Sequence, residues 1–159
     1  MEALWTVQQE GPTFKDNLDF VRSLHFQGIQ ARQKGIKDAH AETFDWILDD
    51  RHSFSRWLEQ DKGIFWIHGK PGSGKSTLMK FICREPTTFQ RLQKWAAPKK
   101  LAIANFFFWR AGTRLQQSRT GLLRSLIFEM VRECPNLLPI AKASIPTPKA
   151  GLFDHEGEI

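Results

Sequence analysis

Three glycines within Gly69 to Gly74 constrain this chain more than any other feature, because such a run loses too much backbone entropy to sit inside a helix or a strand. It must be a loop. The segment GKPGSGKS, Gly69 to Ser76, meets the pattern G-x-x-x-x-G-K-[S/T] through Gly69, Gly74, Lys75 and Ser76. Ile64-Phe65-Trp66-Ile67 precedes it, a continuous apolar run that predicts a strand buried on both faces of a parallel sheet. Leu78, Met79, Phe81 and Ile82 follow it and predict a helix that Pro86 stops. Strand, glycine loop and helix in that order are the context in which this spacing holds phosphate.

The chemistry follows from the residue types. Gly72 and Gly74 permit backbone angles that turn successive N–H groups inward, so Lys70, Pro71, Gly72, Ser73, Gly74 and Lys75 are expected to surround a β-phosphate. The positive end of the next helix adds to that attraction. Lys75 is expected to reach the β- and γ-phosphates, Ser76 to ligate Mg2+, and Thr77 to contact the α-phosphate. The expected ligand is a purine nucleoside triphosphate with Mg2+, and ATP and GTP remain equally open. Hydrolysis in this class also needs an apolar strand ending in an acid. No such run follows Ser76: Leu101 to Trp109 leads into Arg110, and Asp154 follows only Gly-Leu-Phe. No catalytic residue is therefore assigned.

Elsewhere, periodicity predicts helices over Asp16 to Leu24, Lys37 to Leu48, a short one capped by Ser53, one from Thr87 or Thr88 to before Pro98, and one opened by Ser118 or Thr120 and closed by Pro135. The last carries a stripe of Leu122, Leu123, Leu126, Ile127, Met130, Val131 and Cys134. His25 to Gly35 reads as a connector, and LAIANFFFW, Leu101 to Trp109, as a second strand. Residues 1–13 read as a ragged lead-in, and the pattern dissolves beyond Leu138.

Composition narrows the class. A chain 41% apolar with 13 Phe and 6 Trp is too aromatic for a disordered tail. Residues 1–60 hold 7 Lys/Arg against 10 Asp/Glu, and residues 61–159 hold 16 against 7, so the basic half contains the glycine loop. No base-reading motif accompanies that charge, and nucleic acid is not an expected partner. Cys83 and Cys134 lie in apolar helical patterns and read as buried free thiols. With no leader pattern and no membrane-length apolar run, a cytoplasmic setting is expected and a membrane is not. Arg110, Arg114, Arg119 and Arg124 read mostly as solvated charge, and His40 and His68 as structural.

Three stretches of wording resemble a known family: AHAETFDWIL (Ala39 to Leu48), FSRWLEQDKGIFWIHGKPGSGKSTLMKFI (Phe54 to Ile82) and FFFWRAGTRLQQSRTGLLRSLIFEMVRECPNLLP (Phe106 to Pro139). They are similar to the N-terminal part of NACHT-type STAND NTPases, most of all the nephrocystin-like group of filamentous fungi. The resemblance implies a switch that binds ATP or GTP, turns it over slowly, and signals by homo-oligomerisation or by pairing with other NACHT-domain proteins. It also implies that Ile36 to Thr43 approach the base, and that the Walker B strand would follow Ile159, leaving the module cut short.

The expected architecture is therefore α/β: a partial P-loop NTPase of the three-layer α/β/α type behind a helical lead-in. Its expected parts are residues 1–35 as lead-in, 36–139 as partial nucleotide-binding domain and 140–159 as irregular tail. Two other functions fit the same residues. One is a non-catalytic interaction or decoy module that binds full-length relatives through exposed apolar edges. The other is a small-molecule P-loop kinase with Arg110 to Arg124 as lid.

Overall fold

The computed structural model describes residues 12–26, 28–60 and 63–145, and among these every regular element is a helix. The lead-in reading of residues 1–11 and the tail reading of residues 146–159 lie outside the described residues. The chain divides into two compact units, one formed by Gln30–Leu101 and the other by Met1–Ile29 with Ala102–Ile159.

The Gln30–Leu101 unit holds α2 (Ala31–Gly35), a 3-10 turn (Asp45–Leu48), α3 (Ser53–Gln60), α4 (Lys75–Arg84) and α5 (Pro86–Ala96). Its core is Ile47, Phe54, Leu58, Leu78 and Ile82, with Phe44, Leu48, Trp57, Phe65, Ile67, Phe81 and Leu92 packed around them. Leu78 and Ile82 stand one helical turn apart and give α4 its apolar face. The N-terminus of α3 is capped by His52, whose Nδ1 accepts from Phe54 N at 3.2 Å, in place of the expected Ser53. Pro86 stands in the first turn of α5, where its missing N–H costs nothing.

The second unit holds α1 (Pro12–Leu24), α6 (Arg114–Gln117), α7 (Arg119–Glu133), a 3-10 turn (Pro135–Leu137) and α8 (Leu138–Ser144). Helix α1 begins earlier than its apolar period predicts. The connector between Ser23 and Gly28 is held by polar side chains: Arg124 donates to Ser23 O and His25 O and lies over the Phe26 ring, while Gln116 Nε2 donates to Gly28 O at 2.8 Å. Arg124 is thus half-buried and engaged, and it is not solvated charge. Thr113 and Gln116 form a capping box on α6, and of the two openings expected for α7 it is Ser118, not Thr120, that caps the helix, accepting from Gly121 N. A Cβ at Gly121 would stand 1.8 Å from Leu115 O, so α6 and α7 approach one another as closely as they do only because this residue has no side chain.

The expected α/β three-layer fold does not hold: the described residues contain no strand and no sheet. Ile64–Ile67 and Leu101–Trp109 form no regular element: a strand is defined by its ladder, and no backbone bond joins the two segments among the described residues. Trp109 N instead donates to Gln116 O at the end of α6. Nor is Ile64–Ile67 buried on both faces. Phe65 and Ile67 pack on the core, while Ile64 is 89% and Trp66 76% exposed.

Other expectations also shift. Lys37 to Leu48 is not one helix: only Asp45–Leu48 winds, as a 3-10 turn, and Glu42 at φ 62° breaks the helical path. Part of the expected connector, Ala31–Gly35, is helical, as is Leu138–Ser144 within the stretch expected to be irregular. In α7, Val131 is buried but Leu123 and Met130 of the predicted stripe are exposed. Two substitutions test the packing. Gly121→Ala should lower stability by about 1–3 kcal/mol through the clash with Leu115 O, and Ile47→Ala by about 2–5 kcal/mol. Urea unfolding of each variant measures both.

Candidate phosphate-binding site

The glycine loop is positioned by α4, whose Leu78 and Ile82 are locked in the core. Gly74 is the N-cap of that helix at φ 81°, and Leu78 N donates to Gly74 O at 2.9 Å. Gly72 has φ 79°. A side chain in this left-handed region costs about 1–2 kcal/mol, which explains glycine at both places. Between them Ser73 N donates to Lys70 O at 3.2 Å and closes the turn. Gly69 packs under Ser73, where a Cβ would come within 3.0 Å of Oγ.

Lys75 folds back across this loop. Its Nζ donates to Gly69 O at 2.8 Å and Lys70 O at 2.7 Å, with Ser73 Oγ at 3.5 Å. The ammonium therefore stands inside the turn of residues 69–75 and is not spread into solvent. Lys75, Ser76 and Thr77 form the first turn of α4, whose leading N–H groups have no partner within the helix, and Gly74 provides no side-chain cap. Lys70, Pro71, Gly72, Ser73 and Ser76 are exposed, and Gly74, Lys75 and Thr77 are half-buried. All nine expected residues, Gly69 to Thr77, are thus brought together at one helix start. The Ser76 hydroxyl, exposed in the first turn, is of the hard oxygen type that suits a magnesium ion.

Four residues at this site carry no signal in the glycine motif. Phe44 backs the loop: its Cζ lies 3.9 Å from where a Gly74 Cβ would stand, and its ring is 5.9 Å from that of Phe81. Lys80 is 3% exposed, donating to Ile36 O and, at 2.8 Å, to Asp38 Oδ1. Arg84 donates to the same Asp38 oxygen at 3.1 Å. The hydrogen bond from Lys80 and then its charge, with Arg84 adding, hold the Asp38 carboxyl below its usual range. A usable signal does exist, since Lys80 and Arg84 recur four residues apart on one side of α4.

Of the remaining candidates, His68 and His40 are exposed, as are Arg110, Arg114 and Arg119. Cys83 and Cys134 are free and partly buried, and burial pushes the Cys83 thiol up. No described helix is long and apolar enough to cross a membrane. Among the described residues no group of three His, Cys, Asp or Glu could hold a metal ion.

The loop geometry is tested by Gly74→Ala, which should lower stability by about 1–2 kcal/mol from the left-handed backbone alone. The same replacement at the open, right-handed Gly35, with nothing within 4 Å, should not destabilise. Thermal unfolding of the two variants separates them.

The family described as nephrocystin 3, N-terminal, matches residues 42–150, which include the whole glycine loop. The chain is also similar to the vegetative incompatibility protein HET-E-1 of Podospora anserina, 31% identical over 132 residues. That match covers 82% of this chain and 8% of the relative, so the chain spans only a small part of that protein's length. No solved structure matches the chain. The family match covers most of the chain and agrees with the resemblance carried by its wording: the chain belongs to the nephrocystin 3 N-terminal family, in the form found in fungal NACHT-type proteins.

Proposed function

We propose that Gly69 to Thr77 bind the phosphates of a purine nucleoside triphosphate with Mg2+, as the nucleotide-holding element of a signalling protein. The observation that carries this reading is the Lys75 ammonium, drawn by the Gly69 and Lys70 carbonyls into the mouth of a loop whose Gly72 and Gly74 are left-handed. A lysine held by neutral carbonyls can exchange one of them for a phosphate oxygen, a stronger, charge-assisted acceptor. Free N–H groups at the start of α4 and the helix dipole favour the same anion. Ser76 is the residue that would hold the metal, whose charge would offset that of the phosphates.

This is a reading of binding and not of turnover, because no residue is assigned as a base. The similarity to a vegetative incompatibility protein supports the signalling context. The free thiols of Cys83 and Cys134 suit a reducing, cytoplasmic setting. Calorimetric titration with magnesium ATP and magnesium GTP tests the reading. Binding of at least one is expected, and Lys75→Ala should weaken it about tenfold or more. Equal affinity in Lys75→Ala would count decisively against it.

A second reading, an interaction module that docks on full-length relatives, is favoured by exposed Ile64 and Trp66. It predicts co-purification with such a relative that Trp66→Ser abolishes and Lys75→Ala leaves intact. A soluble monomer with no bound relative would remove it.

A further inference from the structure

The residues that approach the glycine loop from upstream are held by a lysine that the motif does not use. Helix α4 is buried on two sides. Leu78 and Ile82 face the core, while Lys80 points to another side and is covered by the chain around Ile36 to Asp38. Ser76, Lys80 and Arg84 follow one another at intervals of four residues, so the expected metal ligand and the two cations share one face of α4.

Burying an ammonium is costly unless it is paired, and a methionine of similar length would fill the same space without that cost. Lys80 nevertheless stands there, 3% exposed, tied to Ile36 O and Asp38. From this anchor the chain runs to Phe44, which backs Gly74 and packs on Phe81, and then to buried Ile47. Between the two anchors Glu42 is held at φ 62°, a strained conformation for a non-glycine residue. Such strain persists only where both ends of a segment are tied down. Ile36 and Asp38 also lie ahead of residues 42–150, the part the family match covers, so the clasp joins family residues to a segment outside the match.

We infer that Asp38, Lys80 and Arg84 form a positioning clasp, which fixes residues 36–44 against α4 so that Phe44 supports Gly74 and the glycine loop keeps its phosphate-binding shape. The clasp rests on the phosphate-binding reading above. It acts through Phe44 and touches no ligand.

The test compares the unaltered chain with Asp38→Ala and Asp38→Glu. The Asp38 side chain is 73% exposed, so neither change removes core packing; Asp38→Ala leaves the buried Lys80 with Ile36 O alone, and Arg84→Gln, which keeps the Lys80–Asp38 pair, supplies a second, milder cut. Titration with magnesium ATP and magnesium GTP is read beside amide hydrogen exchange of the nucleotide-free protein. Asp38→Ala should weaken triphosphate binding roughly fivefold to tenfold and speed exchange across residues 37–44, leaving α7 unchanged. Arg84→Gln should do the same to a smaller degree. Asp38→Glu, which keeps the charge, should restore affinity to within about twofold of the unaltered chain. If Asp38→Ala and Arg84→Gln bind as tightly as the unaltered chain, or if exchange over 37–44 does not change, the clasp is overturned while phosphate binding stands. If the unaltered chain binds neither triphosphate, the phosphate-binding reading falls and takes the clasp with it.

Discussion

Within residues 30–101, everything depends on the contact between Leu78 and Ile82 of α4 and the cluster Ile47, Phe54 and Leu58. Each such side chain, fully buried, contributes about 1.5–3 kcal/mol, against at most about 1 kcal/mol for an exposed ion pair. The apolar contact therefore decides where α4 lies, and the glycine loop goes with it, because Gly74 is the cap of that helix. Polar interactions then refine the arrangement. Arg91 reaches Glu59, Leu48 O and Asp50, tying α5 to α3 and to the chain after the 3-10 turn, with its own side chain only 14% exposed. That pairing engages both terminal nitrogens of a guanidinium which the packing of α5 has already drawn in, and leaves its Nε buried without a partner.

The two most distinctive stretches of wording do different physical work. In GKPGSGKS, Gly72 and Gly74 serve left-handed backbone angles in an exposed loop at the start of α4. In the stretch Gly112 to Gly121 the residues serve structure: Thr113 and Gln116 cap α6, Gln116 also holds Gly28, Ser118 caps α7, and Gly121 admits the Leu115 carbonyl. The second stretch also lies within the matched residues 42–150, but it says little about chemistry. Arg124, three residues on, belongs to the same structural set through Ser23, His25 and Phe26.

Helices with a regular apolar period and a clear boundary were legible. Helix α4 follows its glycine loop, α5 runs to just before Pro98, and α7 starts at the Ser118 cap. Helix α6 was missed for its shortness, although T-x-x-Q at Thr113 to Gln116 spells its capping box. Residues 37–48 misled because Ile36, Ala39, Thr43, Phe44 and Ile47 do fall on one face at helical spacing. That local preference is overridden where Lys80 takes the Ile36 carbonyl, Lys80 and Arg84 take Asp38, and Glu42 turns left-handed. The apolar runs at Ile64 and Leu101 misled for another reason. Apolar residues in a row report a preference for extended backbone, but a sheet requires a hydrogen-bonded neighbour.

By itself the sequence determined that Gly69 to Gly74 form a loop, that a helix follows it, and the family, since spacing and residue type are local properties. Only the tertiary structure decided that Ile64 and Trp66 face solvent while Phe65 and Ile67 face the core. It alone decided that Lys80 is a buried partner of Asp38 and that Phe44 stands behind Gly74. Each of these depends on which distant segment lies across a helix face. The period of one segment shows that a face exists, but not what will cover it.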